Sequence, residues 1–462
     1  MVLFRTAPFT LSLLGLILIQ IITFYLGIVI HPVMFFLIPI LVLATVWLVH
    51  RPEFTLLMIG FTSIIKGFMQ EQFPIFETLD FTLLLIIILW AGLAKIAFTG
   101  KWGLPEWTRD ILILFALFCG MVFVSGFYTP SPVSGWLKIG RFLIFASSMF
   151  VAPFVFLRNI SDSIRMLNYF KFLSATILVA MLINLLFIAT SGGLFTYLVR
   201  ASLLGANPIA VSRSLAVIAA MVTVIGIRRE GWKRLTALVF LALILLAIVS
   251  TGSRGPLASF FAGIILFMLM FESSVYRSRL VLVGGISIMI VFGLLFVLPE
   301  SLTTRFMQIT QGDVIVTAGG VERVSTIATR LNFWSISIKG WLSSPSNFLF
   351  GMGAGGFSSF FVWRDFRWYP HNIFFEVLLE QGFVGFILLI MMIAVAVRYL
   401  LKVRKSGMLS EHSSVWVAAT LVIFFSAQVS GDINDNRILL MFLAIALSSI
   451  HLDRRSCEPV TA

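Results

Sequence analysis

Residues 299–372 read PESLTTRFMQITQGDVIVTAGGVERVSTIATRLNFWSISIKGWLSSPSNFLFGMGAGGFSSFFVWRDFRWYPHN, the only long segment of this 462-residue chain too polar and too broken to cross a membrane. The stretch carries Arg305, Arg323, Arg330, Lys339, Arg364 and Arg367 against Asp313, Glu322 and Asp365. It closes on His371, two residues before an apolar run opens at Ile373. A long loop in a chain of short connections usually carries functional groups, which makes this one the first place to look for a site.

Around that loop the chain is 60% hydrophobic and 11% charged, too little polar side chain to cover a water-soluble fold but enough for a polytopic membrane protein. On a ruler of about 20 apolar residues per helix, candidate spans lie near 9–30, 33–49, 54–69, 79–98, 110–127, 141–157, 169–190, 209–227, 235–250, 255–271, 280–298, 373–400, 413–429 and 438–452. The tight breaks His31-Pro32 and His50-Arg51-Pro52 leave room for a re-entrant segment, so the expected fold is all-α with about 12–14 transmembrane helices. The long loop then holds short amphipathic helices. Three regions follow: an N-terminal transmembrane bundle (1–298), the loop (299–372), and C-terminal helices with a short tail (373–462).

With the N-terminus inside, the clusters Arg158/Arg165/Lys171, Arg228/Arg229/Lys233/Arg234, Arg277/Arg279, Lys402/Arg404/Lys405 and Arg454/Arg455 all fall on the cytoplasmic side. That side takes 20 of the 33 Lys and Arg, and the loop is extracytoplasmic. The net charge of +13 is distributed in small groups between apolar runs, without a basic face or aromatic-basic module, so nucleic acid is not expected as a partner. Membrane lipids are. Cys119 and Cys457 are the only cysteines, which excludes a Cys-based metal site.

Thirteen basic residues oppose the topology signal. Six are in the loop, and the others are Lys66, Lys138, Arg141, Arg200, Arg213, Arg254 and Arg437. Snorkelling accounts for Lys66, Lys138 and Arg437. Arg254, in STGSRGP at 250–256, stands in a Gly-bounded turn where a helix start and a guanidinium together attract phosphate. Arg200 precedes a Gly205-Ala206-Asn207-Pro208 turn, and Arg213 lies about one turn into the next span, where it requires an anion, a carboxylate or a water-filled cavity. Arg330 opens a helical pattern through Leu331, Trp334, Ile338 and Trp341 that reads as a surface-lying amphipathic helix.

His371 is the only histidine of the loop, and nearby arginines would hold its imidazole neutral and available as a base. Asn372, Glu376 and Glu380 line one face of the following span, with the outer arginines as expected partners of the two carboxylates. No second His or carboxylate cluster stands at metal-ligand spacing, and no metal or cofactor is expected. GMGAGGF at 351–357 has the spacing of a dinucleotide loop but no strand or ribose-binding acid around it, leaving only a backbone that can approach a ligand closely.

The chain resembles the O-antigen ligase and O-antigen polymerase (Wzy-type) superfamily of bacterial membrane glycosyltransferases. The resemblance rests on RASLLGANP (200–208), TGSRGP (251–256), Arg330 with Trp334, GMGAGGF, and PHNIFFEVLLEQGFVG (370–385). It implies a glycan carried on a polyprenyl diphosphate, such as undecaprenyl diphosphate, transferred at the outer face of the bacterial inner membrane. Inversion, without nucleotide or metal, is the mode the resemblance implies, in O-antigen, lipopolysaccharide or other surface polysaccharide biosynthesis at the cell envelope. By the same resemblance His371 is the base toward the acceptor, and Arg254, Arg330, Arg213 and Arg200 bind the diphosphate, with Asn372, Glu376 and Glu380 in support. The resemblance leaves two acceptors open, another lipid-linked glycan for a polymerase, slightly favoured, and lipid A core for a ligase; polysaccharide assembly proteins are possible partners. The competing class is a transporter or flippase for a lipid-linked or anionic solute, against which the crowding of polar groups at one membrane face counts.

Overall fold

In the computed structural model the described residues are Gln20 and 34–72, 80–100, 103–192, 206–297, 313–317, 320–324, 326–362, 364–404 and 409–457. The expected first span, 9–30, lies outside them. Helices α1 (Met34–His50), α2 (Pro52–Gly60), α3 (Thr62–Gln72), α4 (Phe81–Phe98), α5 (Arg109–Val124) and α6 (Pro132–Phe156) come first. They are followed by α7 (Ile160–Gly192), α8 (Pro208–Ile227), α9 (Gly231–Ser250), α10 (Arg254–Phe271) and α11 (Ser274–Val297). The loop then contributes β1 (Asp313–Thr317), β2 (Gly320–Val324), α12 (Thr326–Trp341), α13 (Pro345–Phe350) and α14 (Gly356–Val362). Three helices close the chain: α15 (Ile373–Arg404), α16 (Glu411–Ala427) and α17 (Arg437–Cys457).

Among the described residues nine helices are long and apolar enough to cross a membrane, or ten if α1 and α2 count as one broken span. Of the expected 12–14 spans, 9–30 lies outside the residues counted, and two further differences have a local cause. Segments 33–49 and 54–69 meet at a bend of 104°, where Pro52 opens α2 and Thr55 Oγ1 donates to the freed Leu48 carbonyl at 2.8 Å. Segment 413–429 is the 17-residue α16, shorter than a full span. It is nevertheless central: α16 packs on α8, α10 and α17 within the large apolar core. A second core joins α5 and α6 to α15 and α17. The C-terminal helices therefore complete the N-terminal bundle in space although the loop separates them in sequence.

The loop is not wholly helical. β1 and β2 form an antiparallel hairpin pairing Asp313 with Val324 through Thr317 with Gly320. After it, α12, α13 and α14 lie on the first turns of α15, with Phe333, Phe357 and Leu379 as a small separate core. The glycine run binds protein backbone rather than standing open to a ligand: the Met352 and Gly353 amides donate to the Leu379 and Glu380 carbonyls at 2.7 and 3.0 Å. Gly351 (φ 77°) and Gly382 (φ 65°, a break inside α15) face each other so closely that a Cβ on either would meet the other's backbone.

Ion pairs define one end of the bundle. Arg165 with Glu53, Arg228 with Glu272, and Lys171 and Arg229 with Glu411 tie the basic clusters to neighbouring helices. His371, Lys66, Arg213 and Arg437 gather around one cavity elsewhere. Reporter fusions after residues 230 and 404 are expected to score on one membrane face, cytoplasmic by the charge rule, and a fusion at 320 on the other. Equal scores at 230 and 320 would break this arrangement.

Candidate active site

His371 sits where the loop turns into α15, and its backbone is the only non-glycine one among the described residues at positive φ, 59°. That left-handed conformation is uncommon outside glycine and is retained where the surroundings enforce it. Three contacts enforce it here. Asn372 caps α15, its Oδ1 accepting from the Phe374 and Phe375 amides at 2.9 and 3.2 Å and its Nδ2 donating to the Gln428 carbonyl at 3.0 Å. Trp334 of α12 donates its indole N–H to the Pro370 carbonyl at 3.2 Å. The imidazole lies nearly parallel to the Phe333 ring, centroids 6.3 Å apart, and meets the Tyr369 ring edge-on at 4.6 Å.

Burial first, and the Arg330 guanidinium second, push the His371 pKa down to about 4, with Asp432 opposing. The ring is therefore neutral through the physiological range. If it acts as a base in the free protein, the acid limb of kcat/KM is expected near pH 4 and not near the ordinary histidine value of about 6.5. A pH profile between 3.5 and 8 on membranes or purified protein checks this, and a limb at 6–7 would refute it.

Arg330 and Arg254 are close enough that burial and then the charge of Arg254 lower the proton affinity of Arg330. No ion pair of Arg330 occurs among the described residues. Arg254 is the first residue of α10, whose N-terminus has no side-chain cap from Ser253. Two guanidiniums and a helix start with no side-chain cap thus crowd one place, an arrangement that favours a multiply charged anion.

On another side His371 lines a cavity of about 390 Å³ together with Tyr369, Arg213, Arg437, Lys66 and Arg141. Arg213 is 6% exposed, gives Nη2 to Asn436 Oδ1 at 2.6 Å, and leaves its Nε without a partner. Arg200 lies outside the described residues. Arg141 is followed by a π-helical turn, Phe142–Ala146, a feature frequent beside functional sites. Of the seven outer basic residues outside the loop, the six described all belong to this region: four line the cavity, Arg254 adjoins Arg330, and Lys138 is the sixth.

Lys138 corrects an expectation. The partner of Glu376 and Glu380 is this lysine, at 2.5 and 2.6 Å, and not an arginine or His371. Glu376 also accepts from the Ile433 amide at 3.2 Å. The turn between α16 and α17 is the hub that sequence reasoning missed. Arg367 pairs with its Asp432 and Asp435 at 2.9 and 2.8 Å, Asn434 donates to the Lys138 carbonyl, and Asn436 holds Arg213. The run GDINDNR at 431–437 was the available signal: two acids and two amides between apolar helices need partners. Asp365 caps α6, accepting from the Val133 and Ser134 amides at 2.8 and 3.0 Å, so it is committed to structure. Trp363 lies outside the described residues, and Trp368 packs edge-on against Phe333. No group of three or more His, Cys, Asp or Glu among the described residues converges as a metal-binding set.

Residues 238–390, from α9 through the loop into α15, match the family model described as O-antigen ligase. This segment of the chain is similar to the O-antigen ligase domain. No curated protein matches the chain. The segment contains His371, Arg254, Arg330, Asn372, Glu376 and Glu380, whereas Arg213, Lys138 and the 431–437 hub lie outside it. The match covers about a third of the chain, and with the apolar helices it describes an integral membrane protein part of which is similar to the O-antigen ligase family.

Proposed function

We propose that the protein transfers a glycan from a polyprenyl diphosphate carrier to an acceptor hydroxyl at the outer face of the bacterial inner membrane. In this reading His371 takes the proton of the acceptor O–H. The oxygen forms a bond to the anomeric carbon on the face opposite the leaving group, so the configuration inverts. The bond from that carbon to the diphosphate breaks, and the electron pair leaves with the diphosphate, whose growing negative charge Arg254 and Arg330 stabilise. Arg213, with one donor unengaged beside the cavity, contributes to binding the same anion. Arg200 is assigned there by its sequence context.

The observation that supports the reading best is His371 itself: a neutral imidazole held in a strained backbone, with the Arg330 guanidinium on one side and a polar cavity on another. A transferase that uses no nucleotide needs this pairing of a base and a site for the departing anion. The acceptor we favour is a second lipid-linked glycan, as in a polymerase, ahead of lipid A core.

The test is a reconstitution. Purified protein in lipid vesicles, given undecaprenyl diphosphate-linked glycan in chelator and without nucleotide, should lengthen the glycan in the absence of lipid A core. Extension only when lipid A core is added would assign the ligase role. No turnover with either acceptor, or turnover abolished by chelator alone, would overturn the mechanism.

A further inference from the structure

A second cavity, of about 690 Å³, lies away from His371, between the start of α5, the end of α6 and the end of α17. It belongs to the end of the bundle that carries the basic clusters. Arg158 and Arg455 stand exposed at its rim; Glu106 is the one carboxylate among its lining residues, and Asp162 accepts from the Arg158 amide at 3.1 Å. Arg158 uses Nε on the Val155 carbonyl at 2.8 Å and Nη2 on the Gly103 carbonyl at 3.4 Å, leaving Nη1. Arg455 has no polar contact among the described residues.

Two residues of the cavity lining carry buried donors without acceptors. The Trp107 indole stacks against His451 and Tyr399, centroids 4.7 and 5.1 Å, and its N–H is unpaired. Ser448, 2% exposed, lines the same cavity with its hydroxyl unpaired. Buried donors of this kind are uncommon and point to an absent acceptor. The remaining wall is apolar, formed in part by Phe154 and Leu157.

We propose that this cavity binds the headgroup phosphate of an anionic phospholipid from the leaflet at that end. Guanidiniums at the rim receive the phosphate, and the apolar wall meets the first acyl carbons. A free phosphate shares the first contact but gains nothing from the apolar wall. The site is separate from the glycan-transfer reading and stands or falls without it.

Native mass spectrometry of the detergent-purified full chain tests this with phosphatidylglycerol and phosphatidylcholine as probes, and inorganic phosphate as competitor. One phosphatidylglycerol should be retained in preference to phosphatidylcholine and should survive millimolar phosphate. Arg455→Ala, which removes no structural contact, should weaken retention about fivefold, and Arg158→Ala/Arg455→Ala at least about tenfold. Arg158→Lys/Arg455→Lys, which keeps the charge, should stay within about threefold of the parent. Equal retention of both lipids, unchanged retention in Arg455→Ala, or displacement by phosphate would each overturn the proposal.

Discussion

His371→Ala is expected to lower glycan transfer by about 10²- to 10⁴-fold, the usual worth of a general base, while binding of the lipid-linked donor changes little. A hydroxyl is a poor nucleophile at neutral pH, so losing the proton acceptor acts on the transition state more than on the bound ground state. Alanine at a positive φ also strains the backbone, and a drop in activity alone could then reflect a displaced loop. His371→Asn separates the two causes. Asparagine accepts the left-handed conformation but cannot take the proton. Both variants should therefore fall to the same low turnover with normal membrane accumulation. Wild-type turnover in His371→Asn would remove His371 from the chemistry.

Arg330→Ala and Arg254→Ala should each lower kcat by about 10²- to 10³-fold, the scale seen when one donor to a developing oxyanion is removed. Lysine should rescue poorly at either position, because a point charge does not reproduce the guanidinium fork. A second readout follows from the electrostatics. Since Arg330 holds the His371 pKa down, its removal should move the acid limb of any remaining activity upward from about 4. Arg254 disfavours the charge of Arg330, so Arg330→Ala is not expected to reduce thermal stability. Near-normal transfer by both alanine variants would eliminate the diphosphate grip.

Sequence reasoning found most of the helices because about 20 apolar residues are needed per span and hydropathy registers that length directly. It flagged the break at His50-Arg51-Pro52 but left its form open, since a proline at a helix start is compatible with both a turn and a re-entrant segment. The β1–β2 hairpin was missed as well: VIVTAGGVERV carries the alternation of a strand pair, but the surrounding polar loop obscured it. At the site, the spacing of His371, Asn372, Glu376 and Glu380 was legible along one helix, yet their partners were not. Lys138 reaches those carboxylates from α6, and Asp432 and Asp435 reach Arg367 from the α16–α17 turn. A charge opposing the topology rule announces that it needs a partner, but long-range pairing supplies the partner's identity.

The meeting of Gly351 and Gly382 has a hereditary consequence. Each backbone occupies the space that a side chain on the other would need, and each has a torsion that L-residues resist. The break in α15 and the crest of the loop are thus a single joint divided between two distant positions. A lineage that acquires a side chain at one of them must reshape the other at nearly the same time, or lose the seat of His371. Across related sequences the two glycines should therefore be kept together or abandoned together.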